Sequence, residues 1–191
     1  MNANIDISNI VLKTKRLVLR PWRQEDLDDF FEYASVDGVG QMAGWTPHQN
    51  KEESQQILDS FIDHKKTFAL EYDEKVIGSL GIEEYDEVKF PELSDLNCRE
   101  IGYVLAKDYW GKGLMPEAVK EVIRYLFEDV KLDVILCGHF LNNKQSARVQ
   151  EKCGFRHYAF GKYETRFGTV EDDETNILTK DEWLNKSYQS V

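Results

Sequence analysis

The sequence predicts one α/β domain. Three observations carry that expectation. The chain has 191 residues, which suits a single domain with a sizeable core. Its apolar residues switch repeatedly between the period of a strand and the period of a helix. No internal repeat, low-complexity tract or Pro/Ser-rich linker divides it. The domain is expected to span 1–191, with a core from about residue 10 to residue 183 and frayed ends.

The elements follow in chain order. Arg16 to Trp22 reads as a first strand, and Leu27, Phe30, Phe31 and Ala34 then recur at helical spacing. Asn50 and Glu53 form a capping-box pattern before a second helix, which buries Ile57, Leu58, Phe61 and Ile62. Thr67 to Tyr72 and Val76 to Tyr85 read as a strand pair turning at Asp73-Glu74. The polar stretch from Asp86 to Asn97, with Pro91, reads as a surface loop. Arg99 to Leu105 is the next strand and leads into Tyr109-Trp110-Gly111-Lys112-Gly113. Apolar residues at 115, 118, 119, 122, 123, 126 and 127 make Met115 to Asp129 the most periodic helix. Val134 to Cys137 is a short buried strand, and Asn143 to Lys152 a helix that Gly154 ends. Phe155 to Phe167 and Thr175 to Thr179 pair as a closing hairpin around Gly168, which puts the acidic run Glu171 to Glu174 at a solvated tip. The tail beyond Trp183 is expected to fray.

Composition excludes several classes. The formal net charge is −11, opposite to the basic footprint of a general nucleic-acid binder and suited to cationic partners. No apolar run reaches the length of a membrane span. Met1 to Ile10 carries Asp6 and no basic residue, unlike a secretory signal or transit peptide, so a cytoplasmic location is expected. Cys98, Cys137 and Cys153 form no CxxC pair and no disulfide framework; Cys137 and Cys153 read as packing residues. His48, His64, His139 and His157 lack metal-ligand spacing, so no metal is expected. Against the acidic background, Lys107, Lys112, Lys144 and Arg148 gather around the glycine turn.

That turn is the main functional signal. Gly111-Lys112-Gly113 precedes a helix N-terminus, where unpaired N–H groups and the helix dipole favour an anion. A phosphate or pyrophosphate ligand is one reading, and an ordinary strand-to-helix turn the other. A nucleoside-triphosphate loop needs Gly-x-x-x-x-Gly-Lys-Ser/Thr, and here Leu114 follows Gly113. A dinucleotide fingerprint fails at Pro116, where its third glycine belongs.

Trp110-Gly111-Lys112-Gly113-Leu114-Met115 resembles the acyl-CoA pyrophosphate loop of the GNAT N-acetyltransferases, written Gln/Arg-x-x-Gly-x-Gly/Ala. Gly113 matches its central glycine, while Trp110 and Met115 replace the usual first and last residues. Asn143-Lys144-Gln145-Ser146 and Lys152-Cys153-Gly154-Phe155 resemble the family's later Asn-x-x-Ser/Ala and Lys-x-Gly-Phe elements at the right distance. Glu100-Ile101-Gly102-Tyr103 resembles the strand lining the family's substrate cleft. That wording, with the closing Leu178-Thr179-Lys180-Asp181-Glu182-Trp183, is closest to the RimJ/RimL-type branch. The resemblance covers about Arg16 to Trp183.

The resemblance implies a single GNAT-type α/β (α+β) domain with a mixed central sheet of about seven strands and helices on both faces. Two parallel strands, Arg99–Leu105 and Val134–His139, would splay apart and hold acetyl-CoA between them. The pantetheine arm would pair with backbone at Val104 and Leu105. The pyrophosphate would lie on the amides of Gly111 to Met115, with Lys112 adding charge. Cofactor-binding candidates are therefore Val104, Leu105, Trp110, Gly111, Lys112, Gly113, Leu114, Met115, Asn143 and Ser146.

The chemistry follows from the acceptor. An alkylammonium titrates near ~10 and must lose a proton before or during attack. Strand alternation puts Glu100 and Gly102 on one face and Ile101 and Tyr103 on the other. With Ile101 in the core, Glu100 faces the cleft as candidate general base; the alternative is an edge carboxylate paired with Arg99 or a lysine. Many family members carry a tyrosine acid four residues after the Ser/Ala position, but that slot is Gln150 here. The branch resemblance instead implies Ser146 as the acid, against a plain capping residue. A backbone N–H near Val104 would serve the oxyanion. Trp45 and Tyr33, with Asp37, and also Glu83 and Tyr85, are candidate acceptor contacts. The expected activity is direct acetyl transfer from acetyl-CoA to a primary amine: a peptide or protein N-terminus, a polyamine or another small cationic amine. The alternatives are a non-catalytic acyl-CoA-binding module of the same fold and a different nucleotide-binding enzyme. The chain is expected to be a monomer or homodimer, with no nucleic-acid or membrane partner.

Overall fold

The alternating apolar periods resolve into five α-helices and eight strands in the computed structural model, which describes residues 1–188. The strands are β1 (Leu12–Lys13), β2 (Val18–Pro21), β3 (Thr67–Tyr72), β4 (Lys75–Glu83), β5 (Cys98–Leu105), β6 (Val134–Phe140), β7 (Arg156–Glu164) and β8 (Val170–Thr179). The helices are α1 (Leu27–Ala34), α2 (Lys51–His64), α3 (Leu114–Glu128), α4 (Lys144–Lys152) and α5 (Lys180–Tyr188). All eight strands form one sheet in the order β1-β2-β3-β4-β5-β6-β8-β7. β5 and β6 pair in parallel, whereas the other neighbours are antiparallel.

Strand alternation sends successive side chains to two separate cores. On β3, Phe68 and Leu70 join Leu114, Ala118, Val119, Val122 and Ile123 of α3 in the larger one. Ala69 points the other way, to Phe30 and Tyr33 of α1 and Leu58 of α2. Each fully buried Val, Leu, Ile or Phe among these stabilises the fold by ~1.5–3 kcal/mol, so helices are pinned to both faces. Asn50 caps α2 by accepting from Glu53 N at 2.8 Å. Asp73 and Glu74 both adopt left-handed φ, 50° and 63°, the requirement of a two-residue hairpin turn that follows sheet twist.

Four features depart from the sequence expectation. β1 is an eighth strand, too short to show a period. The stretch before Ile10 is packed: Ile7 is fully buried and Ile5 nearly so, and the Met1 ammonium donates to Tyr85 Oη at 2.8 Å and to the carbonyls of Leu93, Ser94 and Leu96. Glu171 to Glu174 lies inside β8, not at a hairpin tip. Asp and Glu are poor strand formers, but β8 pairs with strands on both sides, and that outweighs propensity. Helix α5 continues beyond Trp183, whose ring lies 5.5 Å from Phe127; the rest of the expected frayed tail, 189–191, lies outside the described residues.

What positions the site is the end of one ladder. The parallel pairing of β5 with β6 stops at Ile101↔Cys137. Beyond it β5 stays with β4 as far as Leu105↔Gly78, and β6 stays with β8 as far as Phe140↔Asp173. The two strands part, and the gap between them is the cleft.

Candidate active site

The gap opens into a cleft of about 810 Å³ lined from β5, β6, α3, α4 and the turn before α3. At one end Gly111 and Gly113 take φ of +74° and +75°. A Cβ would meet nothing within 4 Å at Gly111, and only Arg16 Nη2 at 3.7 Å at Gly113. The left-handed backbone, not space, is what calls for glycine here. The turn is braced from behind: Arg16 Nη1 donates to Lys112 O at 3.0 Å while Arg16 pairs with Glu117 at 2.7 Å. Trp110, Gly111, Gly113, Leu114 and Met115 line the cleft. Leu114 and Met115 bury their side chains in the core, so their backbone is what they offer a ligand.

Two expected contacts are placed differently. Trp110 Nε1 donates to Leu105 O at 2.7 Å, so this indole clasps the turn and occupies one of the carbonyls expected to hold the pantetheine arm. The Lys112 ammonium stands 5.0 Å from the Tyr109 ring centroid, a cation–π contact, and its side chain is not part of the lining. Positive charge comes instead from Arg148 and Lys152, one turn apart on α4 and both lining the cleft. Lys152 carried no charge argument in the sequence; only the helical period puts it beneath Arg148.

The other end is acidic. Glu83, Glu84, Glu100 and Asp173 line it together with Gly138 and His139. Glu83 and Glu100 stand directly opposite each other across β4 and β5, a like-charge pairing that destabilises a sheet. Burial pushes the Glu100 carboxyl up to about 7; Asp173, Glu83 and Asp86 push it the same way, and Lys89 opposes them. A Cβ on Gly138 would come 3.2 Å from Glu100 Oε1, so glycine there leaves room for the carboxylate. The pairing of Glu100 with Arg99 does not occur: Arg99 donates to Ala3 O at 2.6 Å and faces Glu84 at 3.6 Å. Glu83 is exposed on the rim and pairs with Lys66 at 3.1 Å.

The third group lies on the α4 side. Asn143 caps α4, its Oδ1 accepting from Ser146 N at 3.1 Å, and its Nδ2 donates to Met42 O at 3.4 Å. Ser146 is buried at the cleft wall. Its Oγ lies 2.9 Å from Tyr103 Oη and accepts from Gln150 Nε2 at 3.2 Å. Gln150 also donates to Gly138 O at 3.1 Å, and its Oε1 accepts from Asn176 at 2.7 Å. Tyr103 is the lining residue that sequence reasoning left in the core. Alternation places it with Ile101, but the ladder ends at Ile101, so the next side chain on that face looks into the gap.

Two acceptor candidates lie elsewhere. Tyr33 is 4% exposed and packs on Phe30 at 5.4 Å in the second core. Tyr85 is 2% exposed, packed with Phe90 and Leu93. Both are aromatic rings large enough to be drawn into a core, and neither lines the cleft. Asp37 accepts from Gln41 on the surface. Trp45 lines a neighbouring cavity of about 440 Å³, with His48, Phe61 and Arg166, that meets the cleft at Ala43, Val104 and Tyr163. Tyr163 from β7 and Asp173 from β8 had no sequence signal. All three cysteines are buried, and burial pushes Cys98 to about 11, Cys153 to about 12 and Cys137 far up, so these thiols stay protonated and pack. Among the described residues no three His, Cys, Asp or Glu are grouped to hold a metal, and no helix is long and apolar enough to cross a membrane.

Residues 16–156 match the acetyltransferase (GNAT) domain. The uncharacterized N-acetyltransferase YoaA of Bacillus subtilis (strain 168) is 29% identical over 178 residues, covering 89% of this chain and 97% of its own. The ribosomal protein uS5 alanine N-acetyltransferase of Escherichia coli (strain K12) is 30% identical over 84 residues, 44% of this chain and 43% of that enzyme. The crystal structure of a GNAT-family acetyltransferase from Bacillus anthracis superposes with a TM-score of 0.78 at 22% identity, covering 90% of this chain and 99% of that one.

Proposed function

The chain belongs to the acetyltransferase (GNAT) family and is an acetyl-CoA-dependent N-acetyltransferase; we propose that it moves the acetyl group directly to a primary amine, with Glu100 as general base. The acceptor class is a peptide or protein N-terminus or another small cationic amine. The observation that carries this reading is the position of Glu100 where β5 and β6 part, with its carboxyl near 7 and carboxylates around it.

The residues present fit the donor. Backbone N–H groups of Gly111 to Met115, at the N-terminus of α3, suit a pyrophosphate, and Arg148 and Lys152 line the same cleft with positive charge that would complement it. The edge of β5 beyond Ile101 has lost its parallel partner and can take an extended arm as a further strand. Val104 is the main anchor there, because Leu105 O already accepts from Trp110. When bound, acetyl-CoA supplies a thioester carbonyl for the amine to attack.

The acidic end does the rest. Glu83, Glu84 and Asp173 draw an ammonium towards Glu100. A base near 7 holds a proton or not in nearly equal measure at neutral pH, the condition under which general-base catalysis is most effective. Ser146 lines the cleft from α4 and would offer a hydroxyl to the thioester end of the donor. The buried, protonated cysteines offer no nucleophile, in keeping with direct transfer and no acyl-enzyme. The RimJ/RimL-type branch and a protein N-terminus as acceptor are supported by the partial likeness to the uS5 alanine enzyme.

The test is product identification. The protein is incubated with acetyl-CoA and a panel of free-N-terminus peptides, spermidine and an amino sugar, and products are read by mass spectrometry. An N-acetylated product dependent on protein and acetyl-CoA supports the reading. CoA binding with no product from any panel member would reduce the protein to an acyl-CoA-binding module.

A further inference from the structure

We propose that Tyr103 is the catalytic acid of this site, giving its phenolic proton to the departing CoA sulfur, while Ser146 positions the phenol and donates to it once the proton has gone. The inference rests on the acetyl-transfer reading and adds a residue to it.

The leaving group sets the requirement. As the amine nitrogen bonds to the carbonyl carbon, the carbon–sulfur bond breaks and its electron pair stays on sulfur. The ammonium proton goes to Glu100, and the sulfur needs a proton of its own. The nitrogen loses a second proton to solvent as the adduct collapses to the amide, and a proton from solvent restores the phenol that protonated sulfur. The products are then the amide, the free thiol of CoA and one net proton, the one released later from Glu100. A free thiol titrates near ~8.5 and a free phenol near ~10, which makes a phenol the strongest acid among the hydroxyl and amide groups on this wall. An aliphatic hydroxyl such as Ser146 is a far weaker acid, and the Gln150 carboxamide has no acidic proton.

Geometry singles out Tyr103. It is the first residue on its face of β5 after the last parallel pair, Ile101↔Cys137, so its ring stands where the strands part. The ring packs against the larger core, while the side chain lines the cleft. Burial pushes its phenol far above the ordinary range, and the Ser146 and Gln150 side chains pull it back, so the proton is in place at neutral pH. Glu100 projects from the opposite face of the same strand. Base and acid therefore flank the gap from its two sides, one towards the incoming amine and one towards the outgoing sulfur.

The hydrogen-bond network explains why Ser146 alone does not suffice. Asn176 donates to Gln150 Oε1 at 2.7 Å, which fixes the carboxamide so that Gln150 Nε2 donates to Ser146 Oγ at 3.2 Å. Ser146 Oγ and Tyr103 Oη then share one bond of 2.9 Å. While the phenol is intact, Tyr103 can donate to Ser146; when Tyr103 gives up its proton, the Ser146 hydroxyl turns to donate to the phenolate. Gln150 thus stands in the slot where relatives carry their tyrosine, and it holds in place the serine that serves a tyrosine on the opposite wall.

Tyr103→Phe keeps the ring and its packing and removes only the hydroxyl. With whichever panel amine gives product, kcat should fall about 10²–10³-fold, with CoA affinity by titration calorimetry within twofold of wild type. The phenol keeps its proton across the assayable pH range, so the readout is the solvent deuterium isotope effect on kcat, which reports the proton moving to sulfur and should shrink in Tyr103→Phe. Ser146→Ala, which leaves the phenol, should lose about tenfold and keep the isotope effect. Tyr103→Phe with kcat within threefold of wild type, or with the isotope effect undiminished, or an isotope effect lost only in Ser146→Ala, would overturn the assignment while leaving acetyl transfer standing. No product from wild type, with CoA still bound, would overturn the transfer reading and this inference with it.

Discussion

The two ends of the cleft are built by different means. The glycine end comes from two short contiguous stretches, 110–115 and 143–152, and offers mainly backbone. Its shape is set locally by two glycines at positive φ and a helix N-terminus. The acidic end is assembled from side chains on β4, β5, β6, β8 and the loop carrying Lys89. Nothing local brings those together; register does, as in Glu83↔Glu100. The glycine end is a stable structure that awaits a ligand. The acidic end holds like charges together at a cost, which is what a site tuned for proton transfer requires.

The sharpest way to break that contrast is Glu100→Gln. Removing a general base costs on the order of 10²–10⁴ in rate, so kcat should fall by that much while CoA affinity stays unchanged. In wild type, kcat should rise with pH through about 7 as Glu100 loses its proton, and the variant should lack this acidic limb. A second readout tests the cost itself. A carboxyl whose pKa is raised by folding favours the fold below its unfolded value and penalises it above its folded value. The variant should therefore be more stable than wild type at pH 8, by roughly 1–3 kcal/mol given partial exposure, and no more stable at pH 4. Equal melting temperatures at pH 8 would mean that Glu100 is not strained.

The glycine end should respond oppositely. Gly113→Val forces a β-branched residue to φ of +75°, a strain of ~1–2 kcal/mol. If the turn relaxes, its amides lose their aim, and CoA should bind about tenfold more weakly. Amine KM should hold. Calorimetric titration with CoA decides it: wild-type affinity in Gly113→Val would mean that the turn does not carry the pyrophosphate.

The same contrast governs what was legible in the sequence. Helical period and the glycine turn are local, so α3, α4 and the glycine end could be read directly, and the family motif placed Glu100 and Ser146 on the cleft. Tyr103 was missed because alternation gives a side chain's face but not where the neighbouring strand leaves it. Asp173 was missed because four consecutive acids look like a solvated turn, and only pairing with β6 and β7 makes them a strand. Tyr33 and Tyr85 failed for the reverse reason: an aromatic near the expected site is as well suited to a core. The packing of Ile5 and Ile7 depends on contacts with distant strands, which a short stretch cannot announce.

The smallest expected effect probes the acidic end most finely. Lys89 Nζ lies 3.5 Å from Asp173 Oδ2, and the two act on Glu100 with opposite sign, Lys89 holding its carboxyl down and Asp173 pushing it up. Asp173 is buried, with Oδ1 lacking a hydrogen-bond partner, so little solvent screens it from Glu100. Lys89→Met should move the acidic limb of the kcat profile to higher pH, and Asp173→Asn should move it to lower pH, each on the order of half a pH unit. The double variant should return close to wild type, because removing both members of an ion pair cancels their fields at a third site. A shift in the same direction for both single variants would show that the limb reports a conformational change instead of the charge on Glu100. No shift in either would place the titrating base elsewhere in the cleft.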